Sequence, residues 1–361
     1  MKKLISCMLA LALVLGLCAC GTTEPTTTAG GTEPSTTKNT VSTTEAKPSE
    51  SNNTSYTRNR TETDPDKASL RIYSLKGPTS MGLAAMLRDN EAGSTRNHYV
   101  STICTTADEV TAALVNGDAD VALLPANAAA TLFSKTSTFS AVAINTLGVL
   151  YIVENGDTVH SIQDLAGKTV CLTGKGTTPE YTLRYLLAAN GIEDQVTLEF
   201  KSEAQEVVAA MTENVATIGL LPQPFVTAAM AQNENLRMAV DMTKEWDGAS
   251  DGGVAVTGVT VVRNEILVKQ PEAVEELLKD CFDSVDEVNN DPAAAAELIV
   301  NMGIVAKAPI AEKAIPYCNL VCITGDKMKT MLSAYLQTLY DQNPKAVGGA
   351  MPVELFYYTG E

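Results

Sequence analysis

The chain has 361 residues, 26 of them Lys or Arg and 43 Asp or Glu, giving a formal net charge of −17. Its 45% hydrophobic content is enough for sizeable cores, while an acidic balance without a basic, aromatic-studded patch disfavours nucleic acid as a partner. With only His98 and His160 available, neither near a cysteine pair, the sequence argues against a structural zinc site.

The amino terminus reads as a processing segment. Lys2 and Lys3 precede an apolar run from Leu4 to Leu17, too short and wrongly flanked for a spanning helix, so residues 1–19 are expected to be a secretory signal. Leu17-Cys18-Ala19-Cys20 resembles a bacterial lipobox, which would make Cys20 the lipidated first residue of the mature chain. An ordinary signal peptide cut at a nearby small residue is the alternative. Residues 20–66, rich in Thr, Ser and Pro, bury too little apolar surface to repay ordering, and read as a disordered tether.

From about Lys67 the pattern turns periodic. LRIYSL (70–75) reads as a strand that stops at Gly77-Pro78, with Thr79 and Ser80 in capping position and a helix over 81–88. A strand near 98–104, a helix over 106–116 closed by Gly117 and a strand over 120–124 follow, and another helix begins near Asn127. An apolar extended run, AVAINTLGVLYIV (141–153), separates this unit from a second one. There, Thr169–Leu172 leads through Gly174–Pro179 into a helix over 180–189. The two units match at a constant offset of 97 positions, Ala119 falling on Ala216: RIYSLKGPTS on KTVCLTGKGT, ADEVTAAL on AQEVVAAM, and ADVALLPANAAATLF on ATIGLLPQPFVTAAM. Two copies are too few for a solenoid. A pair of β-α-β-α-β lobes with parallel, right-handed crossovers is expected instead. A second apolar run, GGVAVTGVTVV (252–262), precedes helices over 271–289, 292–302, near Ile310 and over 326–341. A chain that crosses twice gives a two-strand hinge, with the first lobe at 67–147 and 255–361 and the second at 148–254.

Open parallel sheets bind ligands beyond the carboxyl ends of their strands, where helix starts expose N–H groups. Both copies place their most unusual turns there, so each is expected to supply one wall of a cleft. The candidate ligand contacts are Thr79, Ser80, Met81, Asn127, Asn145, Thr146, Gly176, Thr177, Thr178 and Gln223. The threonines and serine either cap helices or touch ligand; Asn145 and Thr146 either satisfy a neighbouring strand or face the cleft. Lys76 and Lys175 suit an anionic ligand or are solvated. Trp246, the only Trp, either stacks on a planar ligand or sits at the surface or rim. Cys104 and Cys171 read as small buried hydrophobes, and Cys318 and Cys322 pair or remain free. The loops carry no Cys/His/Asp nucleophile set, metal cluster or paired carboxylates, so no catalytic residue, metal or cofactor is assigned.

The run DLAGKTVCLTGKGTTPEYTLRYLLAANGI (164–192), with the lipobox, tether and paired lobes, resembles bacterial ABC-transporter solute-binding lipoproteins of the nitrate/sulfonate/taurine and thiamine-precursor branch. The resemblance implies an α/β, two-lobed class II periplasmic-binding-protein fold, each lobe a mostly parallel sheet flanked by helices. It also implies capture of a small, anionic or planar heterocyclic molecule by hinge closure, and delivery to an ABC permease and ATPase. The expected form is a monomer, lipid-anchored on the outer face of the bacterial cytoplasmic membrane. A sensory receptor is one alternative. Another is an enzyme of menaquinone or thiamine-pyrimidine synthesis on the same fold.

Overall fold

Strand-forming runs that end in a glycine or proline turn and are followed by an amphipathic stretch build crossover units, and the computed structural model contains two sets of them. It describes residues 67–250 and 253–360. The signal segment, Cys20 and the tether read from the sequence lie outside the described residues. In the first copy β1 (Ser69–Leu75), α1 (Pro78–Met81), α2 (Ala84–Glu91), β2 (His98–Cys104), α3 (Ala107–Asn116), β3 (Val121–Pro125) and α4 (Ala126–Thr136) follow in order. The helix expected over 81–88 is two short ones, interrupted at Gly82 and Leu83, glycine being a poor helix former. Helix α3 shows its caps openly. The Thr106 hydroxyl accepts from the Glu109 N–H, the Glu109 carboxylate accepts from the Thr106 N–H, and Gly117 ends the helix at φ 81°.

The first crossing runs from β4 (Phe139–Leu147) to β5 (Leu150–Asn155). The second copy comprises β6 (Thr169–Leu172), α5 (Thr178–Ala189), β7 (Thr197–Phe200), α6 (Ala204–Thr212), β8 (Ile218–Pro222) and α7 (Phe225–Gln232), then β9 (Leu236–Asp241) and α8 (Met242–Ala249). The chain returns through β10 (Val256–Arg263) and ends with α9 (Asn264–Lys269), α10 (Pro271–Asn290), α11 (Pro292–Asn301), α12 (Ala308–Ala314), β11 (Leu320–Ile323) and α13 (Gly325–Gln342).

The first sheet has the order β11-β4-β10-β3-β1-β2 and the second β7-β6-β8-β5-β9. Within each copy the first strand lies between the other two and all three are parallel, so the sequence repeat is also a repeat of topology. The remaining pairings, among the crossing strands, β9 and β11, are antiparallel. The direction has a simple cause: β5 and β10 each enter a sheet from the end at which the repeat strands stop. Leu-Leu-Pro recurs because its two leucines serve opposite faces of a buried strand. Leu124 packs with Phe133, Leu332 and Leu336, whereas Leu123 packs with Ile72, Met86 and Leu277. In the second copy Leu220 and Leu221 divide in the same way.

All five described cysteines are free. The Cys318 sulfur lies 3.8 Å from Met81 Sδ, while the Cys322 thiol donates to the Leu278 carbonyl, so the two occupy different surroundings. Burial pushes the Cys322 thiol up to about 11, which leaves it protonated and unreactive near neutrality. Among the described residues no helix is long and apolar enough to cross a membrane.

Gly258 in β10 marks a tight approach within the hinge. A Cβ there would stand 2.3 Å from Asn145 Oδ1 and 2.6 Å from Thr79 Cγ2. Gly258→Ala is therefore expected to destabilise the protein by about 1–3 kcal/mol, the usual cost of overpacking. Urea unfolding of the variant measures this, and wild-type stability would contradict the packing described.

Candidate functional site

Strands β1 and β3 end at Leu75 and Pro125, strands β6 and β8 at Leu172 and Pro222, and a helix starts just beyond each. These two edges meet. Thr178, the first residue of α5, donates a 3.0 Å hydrogen bond to Asn127 Oδ1 in the first turn of α4, and shares another with the Tyr335 hydroxyl of α13. Elsewhere along the seam the Tyr151 hydroxyl donates to the Tyr317 carbonyl at 2.9 Å, their rings meeting edge to face at 6.3 Å. Asn343 Nδ2 donates to the Tyr181 hydroxyl at 3.3 Å. Trp246 of α8 lies between Tyr185 of α5 and Tyr335, with ring centroids 4.4 and 5.5 Å away. It is fully buried. The surface or rim position expected for Trp246 is thereby corrected: aromatic partners from remote segments enclose it.

The other residues picked out by sequence serve more local ends. Thr79 Oγ1 donates to the Leu75 carbonyl at 2.7 Å, and Ser80 Oγ lies 2.6 Å from the same oxygen. Met81 is fully buried. Asn145 Nδ2 donates to Thr260 Oγ1 on the neighbouring strand and Thr146 Oγ1 donates to Asn145 Oδ1, which favours the neighbouring-strand alternative. Gln223 is buried and its Oε1 accepts from the Thr227 hydroxyl at 2.9 Å, capping α7. Gly176 and Thr177 are in an exposed loop, where the Thr177 hydroxyl donates to the Gly174 carbonyl at 2.7 Å. Only Asn127 and Thr178 thus meet directly across the seam. The sequence reading missed Tyr151, Tyr181, Tyr317, Tyr335 and Asn343, whose positions depend on long-range packing. It also missed Glu180, although Thr177-x-x-Glu180 has capping-box spacing.

Two narrow crevices border these contacts. The first lies against the hinge strands and is lined by Gly148, Thr178, Thr182, Thr243, Val256, Thr257 and Tyr335 among others; the second, behind α1, includes Thr79, Asn145, Thr260, Cys281 and Cys322. Each has room for roughly one water molecule. A solute of several heavy atoms enters only if the walls part. Thr243 Oγ1, at the first crevice, is buried without a hydrogen-bond partner.

Glu180 dominates the local electrostatics. It is 9% exposed, its Oε2 accepts from the Gly176 N–H at 2.6 Å, and its Oε1 accepts from Arg184 Nε at 2.8 Å. Burial opposes ionisation, but the Gly176 N–H and the Arg184 guanidinium outweigh it and hold the carboxyl below its ordinary range. Lys175 projects instead over the Phe200 ring, 5.7 Å from its centroid. His98 begins β2 and the exposed His160 precedes β6, so both histidines lie on the amino side of their strands, away from the seam. Among the described residues no group of three or more His, Cys, Asp or Glu is placed to hold a metal ion.

Two lobes with meeting carboxyl edges and a double crossover define the architecture of periplasmic solute-binding proteins, and similar solved structures bear this out at the level of fold. An ABC transporter protein from Parabacteroides distasonis superposes with a TM-score of 0.70 at 20% identity, over 81% of this chain and 99% of that one. The periplasmic aliphatic sulphonate binding protein SsuA from Escherichia coli gives 0.64 at 15% identity, over 80% and 92%. The periplasmic nitrate-binding protein NrtA from Synechocystis gives 0.54 at 12%, over 82% and 92%. The resemblance to the nitrate/sulfonate branch read from the sequence is thus met in the fold. By sequence profile, residues 78–321 match the menaquinone biosynthesis family, and the chain belongs to that family. No curated protein matches it by sequence.

The lowered pKa of Glu180 has a signed consequence. Its contribution to stability is complete above the unfolded value of about 4.3 and is lost as pH falls through the folded value. Glu180→Gln is therefore expected to melt below wild type at pH 7, with the gap closing below about pH 4. Thermal unfolding of both proteins across this range checks it; a gap independent of pH would contradict the ion pairing described.

Proposed function

We propose that the chain captures a small solute between its lobes and passes it, unchanged, to a membrane importer. The lobes are taken as 67–147 with 255–361 and 148–254, hinged where the chain crosses. The observation that carries the reading is the seam: Asn127 from one carboxyl edge and Thr178 from the other satisfy each other directly. Such groups exchange one partner for another at little net cost. A protein–protein hydrogen bond is worth about 0.5–1.5 kcal/mol net, whereas a micromolar solute supplies about 8 kcal/mol. Solute binding can therefore offset parting of the walls. The shared fold of the sulphonate- and nitrate-binding proteins supports the same reading. An extracytoplasmic site, with Cys20 as the lipidated anchor, is part of the proposal. Loss of lipid labelling in Cys20→Ala tests that part.

Membership of the menaquinone biosynthesis family favours a second reading, an enzyme that acts on the molecule it encloses. Mass spectrometry separates the two. Protein incubated with a metabolite extract is expected to return its solute at unchanged mass, and recovery of a new product would establish the second reading.

Two variants divide seam from scaffold. Thr178→Val should weaken solute binding by about 3- to 100-fold, since a hydrogen bond is lost and a buried partner is left unpaired. Ser80→Ala, at a hydroxyl turned onto the Leu75 carbonyl, should lower the melting temperature while leaving affinity within about twofold. Calorimetric titration and melting curves measure both; equal affinity losses would place Ser80 at the solute.

A further inference from the structure

Resting on the solute-capture reading, we infer that the captured molecule is uncharged where it meets the second lobe, and that Glu180 is the residue that excludes oxyanions. The loop before α5 has the form of an anion cradle. Gly174 and Gly176 adopt φ 76° and 73° and lead into a 12-residue helix, a turn of the kind that presents N–H groups to phosphate or sulfonate. In this chain the cradle already holds an anion. Gly176 N–H donates to Glu180 Oε2 at 2.6 Å, and the Thr177 N–H and hydroxyl both turn back to the Gly174 carbonyl, at 2.9 and 2.7 Å. The nearest guanidinium, Arg184, bonds Glu180 at 2.8 Å and Glu193 at 3.3 Å.

The three other helix starts at this edge carry resident acceptors as well, Glu206 Oε2 of α6 accepting from the Ser202 N–H at 2.9 Å. Gln223 Oε1 accepts from Thr227 at α7, and Asp241 Oδ1 accepts from the Thr243 N–H at 3.0 Å at α8. Three of the four resident acceptors are carboxylates, so an incoming anion would meet like charge. The groups that remain at the seam are hydroxyls and an amide: Thr178, Thr182 and Tyr335, the unpartnered Thr243 hydroxyl, and Asn127. They match a neutral molecule with hydroxyl, carbonyl or amide groups.

The test uses shape-matched pairs at constant ionic strength: ethanesulfonate and ethanesulfonamide, nitrate and urea, nicotinate and nicotinamide. Melting temperature and calorimetric titration are recorded for wild type, Glu180→Gln and Glu180→Ala. Wild type is expected to ignore the anionic member of each pair. At least one Glu180 variant is expected to bind ethanesulfonate or nitrate at least about tenfold tighter than wild type, as befits removal of an interfacial like charge. Anion binding by wild type, or the same indifference in both variants, overturns the inference. Solute identity keeps it distinct from the parent reading. An anionic solute recovered unchanged refutes the charge class but leaves capture intact, whereas a converted product refutes capture.

Discussion

Strand β10 lies between β3 and β4, antiparallel to both, and most of the seam follows from that pairing. It brings the returning chain beside the departing one, so the two lobes are joined by adjacent strands. The β10–β4 register shifts on either side of Gly258. At this irregular point Asn145, Thr79 and Thr146 crowd against the glycine. Asn145 and Thr146 are thereby committed to the hinge, where they bond each other and Thr260. Thr178, carried by a helix of the second lobe, reaches Asn127 without such obligations.

The aromatic contacts divide the labour differently. Trp246 bridges Tyr185 from its own lobe and Tyr335 from the carboxyl-terminal helix, and its burial rests on segments far apart in the chain. Fully burying a side chain of this size stabilises by several kcal/mol, as the about 3–5 kcal/mol cost of Trp→Ala core substitutions indicates. The apolar contact holds the walls near each other, while the hydroxyl and amide pairs fix their register. Such a seam favours one closed arrangement and still leaves its polar groups able to change partners.

Much of this was legible in the sequence, for identifiable reasons. The strand–turn–helix signals of the two copies are local, and Leu123-Leu124-Pro125 and Leu220-Leu221-Pro222 reveal strands buried on both faces. The end of α3 at Gly117 was equally readable. The destination of each polar side chain was not. Ser80 and Thr178 both sit at helix starts, yet one hydroxyl turns back onto its own strand and the other reaches the opposite lobe, a choice set by helix orientation. Trp246, in the polar run Thr243-Lys244-Glu245-Trp246-Asp247, looks like a surface residue until Tyr335 is brought to it. Strand β11 belongs to neither copy of the repeat and joins the sheet only through β4, so no neighbouring strand–turn–helix signal marks it.

The order of strands also bears on how the chain reaches its native state. All five strands of the second sheet come from one uninterrupted stretch, β5 to β9, whereas the first sheet needs β10 to fill the gap between β3 and β4. A polypeptide emerging from its amino terminus therefore completes the later lobe while the earlier one is still open in the middle. During that interval β3 and β4 each present an unpaired edge, a template for mispairing with another chain. The vulnerable intermediate of this protein is thus a finished second lobe tied to an unfinished first; residues 256–263 close the gap between β3 and β4, and β11 later covers the other edge of β4.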